Sequence, residues 1–253
     1  YTLSDTLSLH DALPISVRAV RRAEELARER ALFVSAVSHE LRTPLAALRL
    51  HAEMLAKGLV SEERKPRVFG ELVTETARLT RLVENVLEAS RIGENRRSIE
   101  RAPRDLAELT RGAIAAMERT VASRGFSVSP PAGEPVVASI DAAALELIVV
   151  NLIDNALKYA AGYEPQAIEL RVTCEGDAAV LRVRDHGPGI APGEREKVFE
   201  RFYRAPMPDL DHKPGTGLGL SLVRELARAH GGEALVADTK GAGTTVEVRL
   251  PAA

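Results

Sequence analysis

A single cysteine, Cys174, stands among the 253 residues. One thiol cannot close an intrachain disulfide or build a cysteine-cluster metal site, and cysteine use this sparse suits a reducing compartment. Long hydrophobic runs are missing as well. The longest nearly apolar stretch, Leu145 to Ile153, is broken by Glu146 and Asn151 and falls far short of the ~20 residues that cross a bilayer. As written, the chain therefore reads as cytoplasmic. A basic surplus is also lacking: 34 Lys and Arg stand against 36 Asp and Glu, a formal charge of -2. Binding driven by phosphate-backbone neutralisation needs a basic surplus on some face, so nucleic acid is not an expected partner. What is present, 45% hydrophobic and 28% charged residues, is a globular composition that excludes disordered, collagen-like and low-complexity chains. The length suits one large domain or two small ones.

The chain begins at Tyr1 and not at Met. Residues 1–16 show no amphipathic period, charged n-region or cleavage motif, so they are no targeting peptide. The segment Thr6 to Ile15, TLSLHDALPI, is identical to the translation of a widely used sequencing adapter in one frame. Residues 1–16 are therefore set aside from fold reasoning as an adapter-derived leader or a disordered tail. The natural protein is expected to extend upstream of Val17, and a full-length parent would reach an inner membrane only through that region.

From Val17 to about Lys57 and Gly58 the chain is rich in Ala, Glu, Arg and Leu, which predicts a helix stopped by the glycine. Val34, Val37, Leu41, Leu45 and Leu48 recur at helical spacing and make one apolar stripe. A second helix is expected from Ser61, with Glu62 and Glu63 in its first turn, to Ile92 and Gly93; its seam is Leu72, Thr76, Leu79, Val83 and Val86. Two antiparallel helices with one stripe each cannot bury both stripes alone, so dimerisation into a four-helix bundle completes them. Residues 17–93 are thus a helical hairpin and 94–103 a linker or short strand. Residues 104–253 then mix helices (about 104–124 and 141–159) with alternating strands. Ile168, Leu170, Val172 and Cys174 alternate with polar residues; Leu181 and Val183 lead to Asp185; Val246, Val248 and Leu250 close the pattern. This predicts an α/β sandwich with helices on one face of a mixed sheet.

Five segments carry chemistry. In Ser38-His39-Glu40-Leu41-Arg42-Thr43-Pro44, His39 lies about 200° round the helix from Val37 and shares a face with Thr43, away from the apolar stripe. A histidine in water at its ordinary pKa of ~6.5 keeps a free lone pair at neutral pH. Glu40 can accept its other N–H, and Pro44 removes the helical bond to Glu40, which predicts a bend. A surface histidine beside an incidental proline is the other reading of this segment taken alone. In the second segment, Asn151, Asn155 and Lys158 share a face at i, i+4 and i+7; amide oxygens can ligate Mg²⁺ and a lysine can meet a phosphate, or the face is simply solvated. In Asp185-His186-Gly187-Pro188-Gly189, period two places Asp185 on the buried side. It then needs a donor such as an adenine amino group, with Gly187 and Gly189 allowing a flat ring to approach; alone, this pattern is also that of a tight turn. Finally, Gly215-Thr216-Gly217-Leu218-Gly219 opens a helix to about His230 and offers N–H groups to phosphate. Phe199, Phe202 and Tyr203 read as core anchors of a short helix, leaving Arg204 to reach a phosphate.

In order and spacing these segments resemble the sensor histidine kinases of two-component systems, over roughly Val17 to Pro251. His39 lies in what resembles the H box, Asn151 to Tyr159 the N box, Asp185 to Ile190 and Gly215 to Leu220 the two glycine boxes, and Phe199 to Arg204 the F box. The resemblance implies a dimerisation and histidine-phosphotransfer hairpin followed by a GHKL-type ATP-binding domain, with ATP and Mg²⁺ as cofactors. It implies His39 as phosphoacceptor, Glu40 as its acid/base partner and Thr43 as an aid to the reverse, phosphatase reaction. It also implies Asn155, assisted by Asn151, as Mg²⁺ ligand; Lys158, Tyr159 and Arg204 as nucleotide contacts; and Asp185 as adenine reader. The implied partners are a second copy and a response-regulator receiver domain. A GHKL serine kinase would leave His39 without use, as would a non-catalytic nucleotide-driven dimerisation module.

Overall fold

The computed structural model describes residues 40–93, 99–206, 217–238 and 241–253, together with 20, 24, 31, 34, 35, 37 and 38. Residues 1–16, His39, Gly215 and Thr216 lie outside the described residues, as do 94–98 of the expected linker and most of the proline-rich stretch from 205 to 214. The chain divides into two compact units, Tyr1–Leu79 and Thr80–Ala253.

In the first unit, residues 40–56 form helix α1, which runs on through the buried Pro44. Gly58 stops it as the sequence predicts. At φ 65° it donates to Leu55 O at 3.1 Å while Leu59 donates to Met54 O at 2.9 Å, the paired bonds of a left-handed helix end. Helix α2 spans Lys65–Gly93 and crosses into the second unit. It begins later than the sequence suggests. Residues 62–64 form a turn in which the N–H groups of Arg64 and Lys65 both bond Ser61 O, so Glu62 and Glu63 precede the helix. Val60 and Val68 are buried and His51 Nε2 lies 3.4 Å from Glu71 Oε2. Among the described residues the expected stripes are partly covered: Leu41, Leu48, Leu72, Leu79 and Val86 are half-buried, whereas Val34, Leu45 and Val83 are exposed, as are Phe69 and Val73 off the second seam.

In the second unit, strand β1 (Ala102–Asp105) pairs antiparallel with β3 (Val137–Ile140) in a small sheet that the sequence reading did not foresee. Helix α3 (Leu106–Ser123) and strand β2 (Ser127–Ser129) lie between them in the chain. Asp105 caps α3, accepting from Ala107 N at 2.9 Å, and Asp141 caps α4 (Ala142–Tyr159), accepting from Ala143 N and Ala144 N. A side-chain oxygen at the cap satisfies donors that have no partner in the first turn.

The main sheet runs β2-β4-β5-β7-β6, with β4 (Ala167–Glu175), β5 (Ala178–Arg184), β6 (Glu233–Ala237) and β7 (Thr245–Pro251). Only β2 and β4 are parallel, so the sheet is mixed as predicted. Ile168, Leu170 and Val172 point inward with Leu181, Val183, Val246, Val248 and Leu250; Cys174, at the strand end, is exposed. Helices α3, α4 and α5 (Gly219–Ala229) cover this face and close one core with it. On the opposite face, Arg182 bonds Glu247 at 2.6 Å and lies 2.7 Å from Glu175, and holds the Glu175 carboxyl below its ordinary value.

Candidate functional site

Of the predicted site residues, Asn151 and Asn155 of α4 lie beside Gly219, the first residue of α5, while Gly187, after Asp185, packs by the C-terminal end of α4. Asn151 is buried at 6% exposure, and its Nδ2 donates back to Leu147 O at 2.8 Å. Its Oδ1 accepts from Asn85 Nδ2 at 3.2 Å. Four residues on, Asn155 is half-buried and makes no side-chain hydrogen bond among the described residues. Gly219, the first residue of α5, sits directly against this pair: a Cβ there would stand 3.1 Å from Asn151 Oδ1 and 3.7 Å from Asn155 Nδ2. The helix N-terminus thus meets the two carboxamides, and its cap residue Leu218 makes no side-chain capping bond. Lys158 Nζ donates to Tyr159 OH at 2.8 Å and lies 4.4 Å from that ring's centroid.

Asp185 follows β5. Its Oδ1 accepts from Gly187 N at 2.8 Å and from Thr244 N at 3.2 Å, while among the described residues its Oδ2 takes no hydrogen bond. Burial pushes this carboxyl above its ordinary value, and the two backbone bonds pull against that. The carboxylate is partly buried, not enclosed, and the donors it needs come first from its own chain. One oxygen is left for a ligand donor such as an exocyclic amine. Gly187 is packed by protein: a Cβ would stand 3.0 Å from Asp185 Oδ1 and 3.2 Å from Ala160 Cα. Gly189 abuts Gly243 O. Their smallness therefore serves internal packing as well as any approach of a ring.

The aromatic segment differs from its sequence reading. It forms a 3₁₀ turn, Lys197–Phe199, and only Phe199 is buried core; Phe202 and Tyr203 are half-buried and Arg204 is exposed. Phe202 has φ 66°, an unusual backbone for a bulky residue. Its N–H donates to Gly217 O at 3.0 Å, and Gly217, at φ 69°, lies so close that a Cβ would stand 2.7 Å from Phe202 C. Only glycine fits there. Tyr203 OH donates to Glu194, which holds that carboxyl low.

In the first unit, Thr43 is exposed and Glu40 half-buried on α1. Sequence reasoning missed Thr244, whose N–H completes the Asp185 cradle, although Gly241-Ala242-Gly243-Thr244 ahead of β7 was a visible signal. It also missed Asn85 and Arg81 on α2. Arg81 Nη1 bonds both oxygens of Asp154, at 2.9 and 2.8 Å, and nothing local in that helix marks either residue. Among the described residues no group of three or more His, Cys, Asp or Glu is arranged to hold a metal ion, and no helix is long and apolar enough to cross a membrane.

Known proteins share this order of parts. Residues 29–95 match the His Kinase A (phospho-acceptor) domain, and residues 140–253 match the histidine kinase-, DNA gyrase B- and HSP90-like ATPase family. The sensor histidine kinase WalK of Bacillus subtilis is 32% identical over 242 residues, 95% of this chain and 40% of that protein. The histidine protein kinase DivJ of Caulobacter vibrioides is 37% identical over 236 residues, 90% of this chain and 38% of that protein. The crystal structure of full-length ShkA in complex with AMPPNP is similar with a TM-score of 0.59 and 25% identity, covering 88% of this chain and 46% of that one. The chain spans less than half the length of the curated relatives it matches. A His Kinase A domain followed by a histidine kinase-like ATPase domain, with sensor histidine kinase relatives matched along nine-tenths or more of the chain, places it in the family of sensor histidine kinases of two-component systems.

Proposed function

We propose that the chain is the phosphoryl-transfer core of such a kinase. Residues 104–253 bind ATP, residues 17–93 form a homodimeric hairpin that carries His39, and 94–103 join them. Phosphorylated His39 then donates to an aspartate of a response-regulator receiver domain. The observation that carries the reading is the packing of Gly219 against Asn151 and Asn155, which brings a helix N-terminus to a pair of carboxamides; such an end favours phosphate. The open oxygen of Asp185 supplies the acceptor that an adenine amino group needs. Guanine would present a carbonyl oxygen there instead.

A ring nitrogen of His39 attacks the γ-phosphorus in line, the bond to the β–γ bridging oxygen breaks, and ADP leaves with that electron pair. Glu40 takes the ring proton. Lys158, Tyr159, Arg204 and the glycines Gly187, Gly189, Gly215, Gly217 and Gly219, with Thr216 and Leu218, bind the nucleotide. Asn155 fits Mg²⁺, since its carboxamide is a hard donor with no side-chain partner among the described residues. Asn151 fits less well, because its oxygen already accepts from Asn85 and has one lone pair left with which to assist. When bound, Mg²⁺ neutralises charge on the phosphates. Thr43, exposed on α1, serves the reverse phosphatase reaction by orienting water.

The test is incubation with γ-labelled ATP and Mg²⁺. The chain should take up an acid-labile, base-stable label that His39→Gln abolishes. Label that survives this substitution, or that resists acid, refutes the reading. Asn155→Ala should also abolish labelling while the hairpin dimer persists; unchanged labelling refutes the Mg²⁺ assignment.

A further inference from the structure

Arg224, in the second turn of α5, has no part in the chemistry above, yet its guanidinium meets three polar groups and an aromatic ring. Its side chain is 11% exposed. The guanidinium carbon lies 3.9 Å from the centroid of the Phe199 ring. Nε donates to Ala234 O on β6 at 3.0 Å and lies 3.1 Å from Glu233 Oε1, while Nη1 donates to Glu196 Oε2 at 2.9 Å. A planar cation with several fixed donors can do all of this at once; an ammonium cannot.

These bonds fasten the turn at 196–199 to α5 and β6. The fastening continues one residue on, where Arg201 Nε donates to Glu225 Oε1 at 2.6 Å. It then passes to Phe202, whose N–H bonds Gly217 O at 3.0 Å, and Gly219, two residues further, lies so near Asn151 and Asn155 that a Cβ would stand 3.1 Å and 3.7 Å from them. A continuous line of contacts therefore runs from Arg224 to the carboxamide pair.

We propose that Arg224 is a positioning residue of the nucleoside-triphosphate site: by clamping the Phe199 turn to α5, it sets where Phe202 presses on Gly217 and so holds the α5 N-terminus against Asn151 and Asn155. It touches neither nucleotide nor reacting atoms. The inference rests on the nucleotide reading given above. A purely stabilising arginine and a positioning one differ in what they change. Lost stability removes active molecules without altering the affinity of those that remain; lost positioning weakens nucleotide binding in a folded protein.

The test uses the full chain at a temperature below the onset of melting, with trinitrophenyl-ATP fluorescence for affinity and γ-labelled ATP for kinetics. Arg224→Met keeps the stem and removes the guanidinium. It should raise the Kd of the analogue and the KM for ATP roughly tenfold, with labelling at saturating ATP close to that of the unaltered chain. Arg224→Lys keeps the charge over Phe199 and should recover part of that affinity. Phe199→Leu should weaken binding likewise, and combining it with Arg224→Met should add little, since the two act as one unit. An Arg224→Met chain with unchanged Kd and KM, and only a lower melting temperature or fewer active molecules, overturns the proposal. Should that variant fail to fold, Arg224→Lys decides: a folded chain with unaltered KM overturns it, and a KM raised roughly twofold to fivefold supports it. Failure of the unaltered chain to bind the analogue or take up label instead refutes the nucleotide reading beneath it.

Discussion

Burial raises the Asp185 carboxyl from its ordinary 3.8, with the backbone bonds from Gly187 and Thr244 opposing the shift. An acid whose native pKa is raised favours its protonated form in the fold. Its contribution to stability is therefore fully present below 3.8 and is lost as pH rises through the raised native value. Asp185→Asn keeps an oxygen for both backbone bonds and removes the charge. The melting temperature of the Asn variant relative to the unaltered chain should rise as pH climbs from about 4 towards 7. A difference that stays flat with pH would show that burial is not the cause. The same variant should lose discrimination between ATP and GTP, measured by competition against a labelled analogue. Half-buried Glu194 and exposed Glu175 run the other way. Tyr203 and then Lys197 hold the first low, and Arg182 the second, so what they add is present above the ordinary 4.5 and lost as pH falls through their lowered values. At this scale the sequence is informative wherever a residue type is costly without a purpose. Asp185 at the end of an apolar strand, and two Asn one turn apart, stand out for that reason, whereas Arg224 is one arginine among many until Phe199 is seen beneath it.

Helix α4 is legible from end to end, because both its signals are local. Asp141 is a strong cap, and Leu145, Ile148, Val149 and Leu152 follow at helical spacing on the buried side. Removing the cap oxygen by Asp141→Ala orphans the N–H groups of Ala143 and Ala144 and should cost about 1 kcal/mol in denaturant unfolding. A loss well under ~0.3 kcal/mol would mean that water caps the helix equally well. Helix α2 is less legible. Glu62 and Glu63 look like first-turn acids, but Ser61 O captures the N–H groups of Arg64 and Lys65 and postpones the helix to Lys65. Strands β1 and β3 are short and pair with each other across all of α3; four residues carry too little period to announce a strand, and their partner lies over thirty positions away. The aromatic turn at 197–203 defeats the helical reading because Phe202 takes up a left-handed backbone against Gly217. Side-chain type alone does not signal that conformation.

At the scale of the molecule, the described residues of the hairpin leave apolar side chains exposed. Leu45, Phe69 and Val73 stay 54%, 54% and 70% exposed on the hairpin, and exposed apolar faces of this kind mark association. Sedimentation equilibrium should find a dimer at micromolar concentration, and Val73→Glu together with Phe69→Glu should weaken it roughly tenfold or more. A monomer at all concentrations would refute the bundle. Among the described residues, the core of the second unit is drawn from its own chain, from Leu106 to Leu250.

The sequence by itself determined the two-part organisation, the helices α3 to α5 and the alternating strands. Each depends on residue type and spacing within one turn or strand, where period and capping chemistry act. The tertiary structure alone decided how those residues are held. Thr244 completes Asp185 across 59 positions, Asn85 engages Asn151 across 66 and Arg81 fastens Asp154 across 73. The physical reason is range. A backbone period reports which side of an element faces the core, but a hydrogen bond between distant residues, or a glycine pressed on a distant backbone, exists only after the elements have packed.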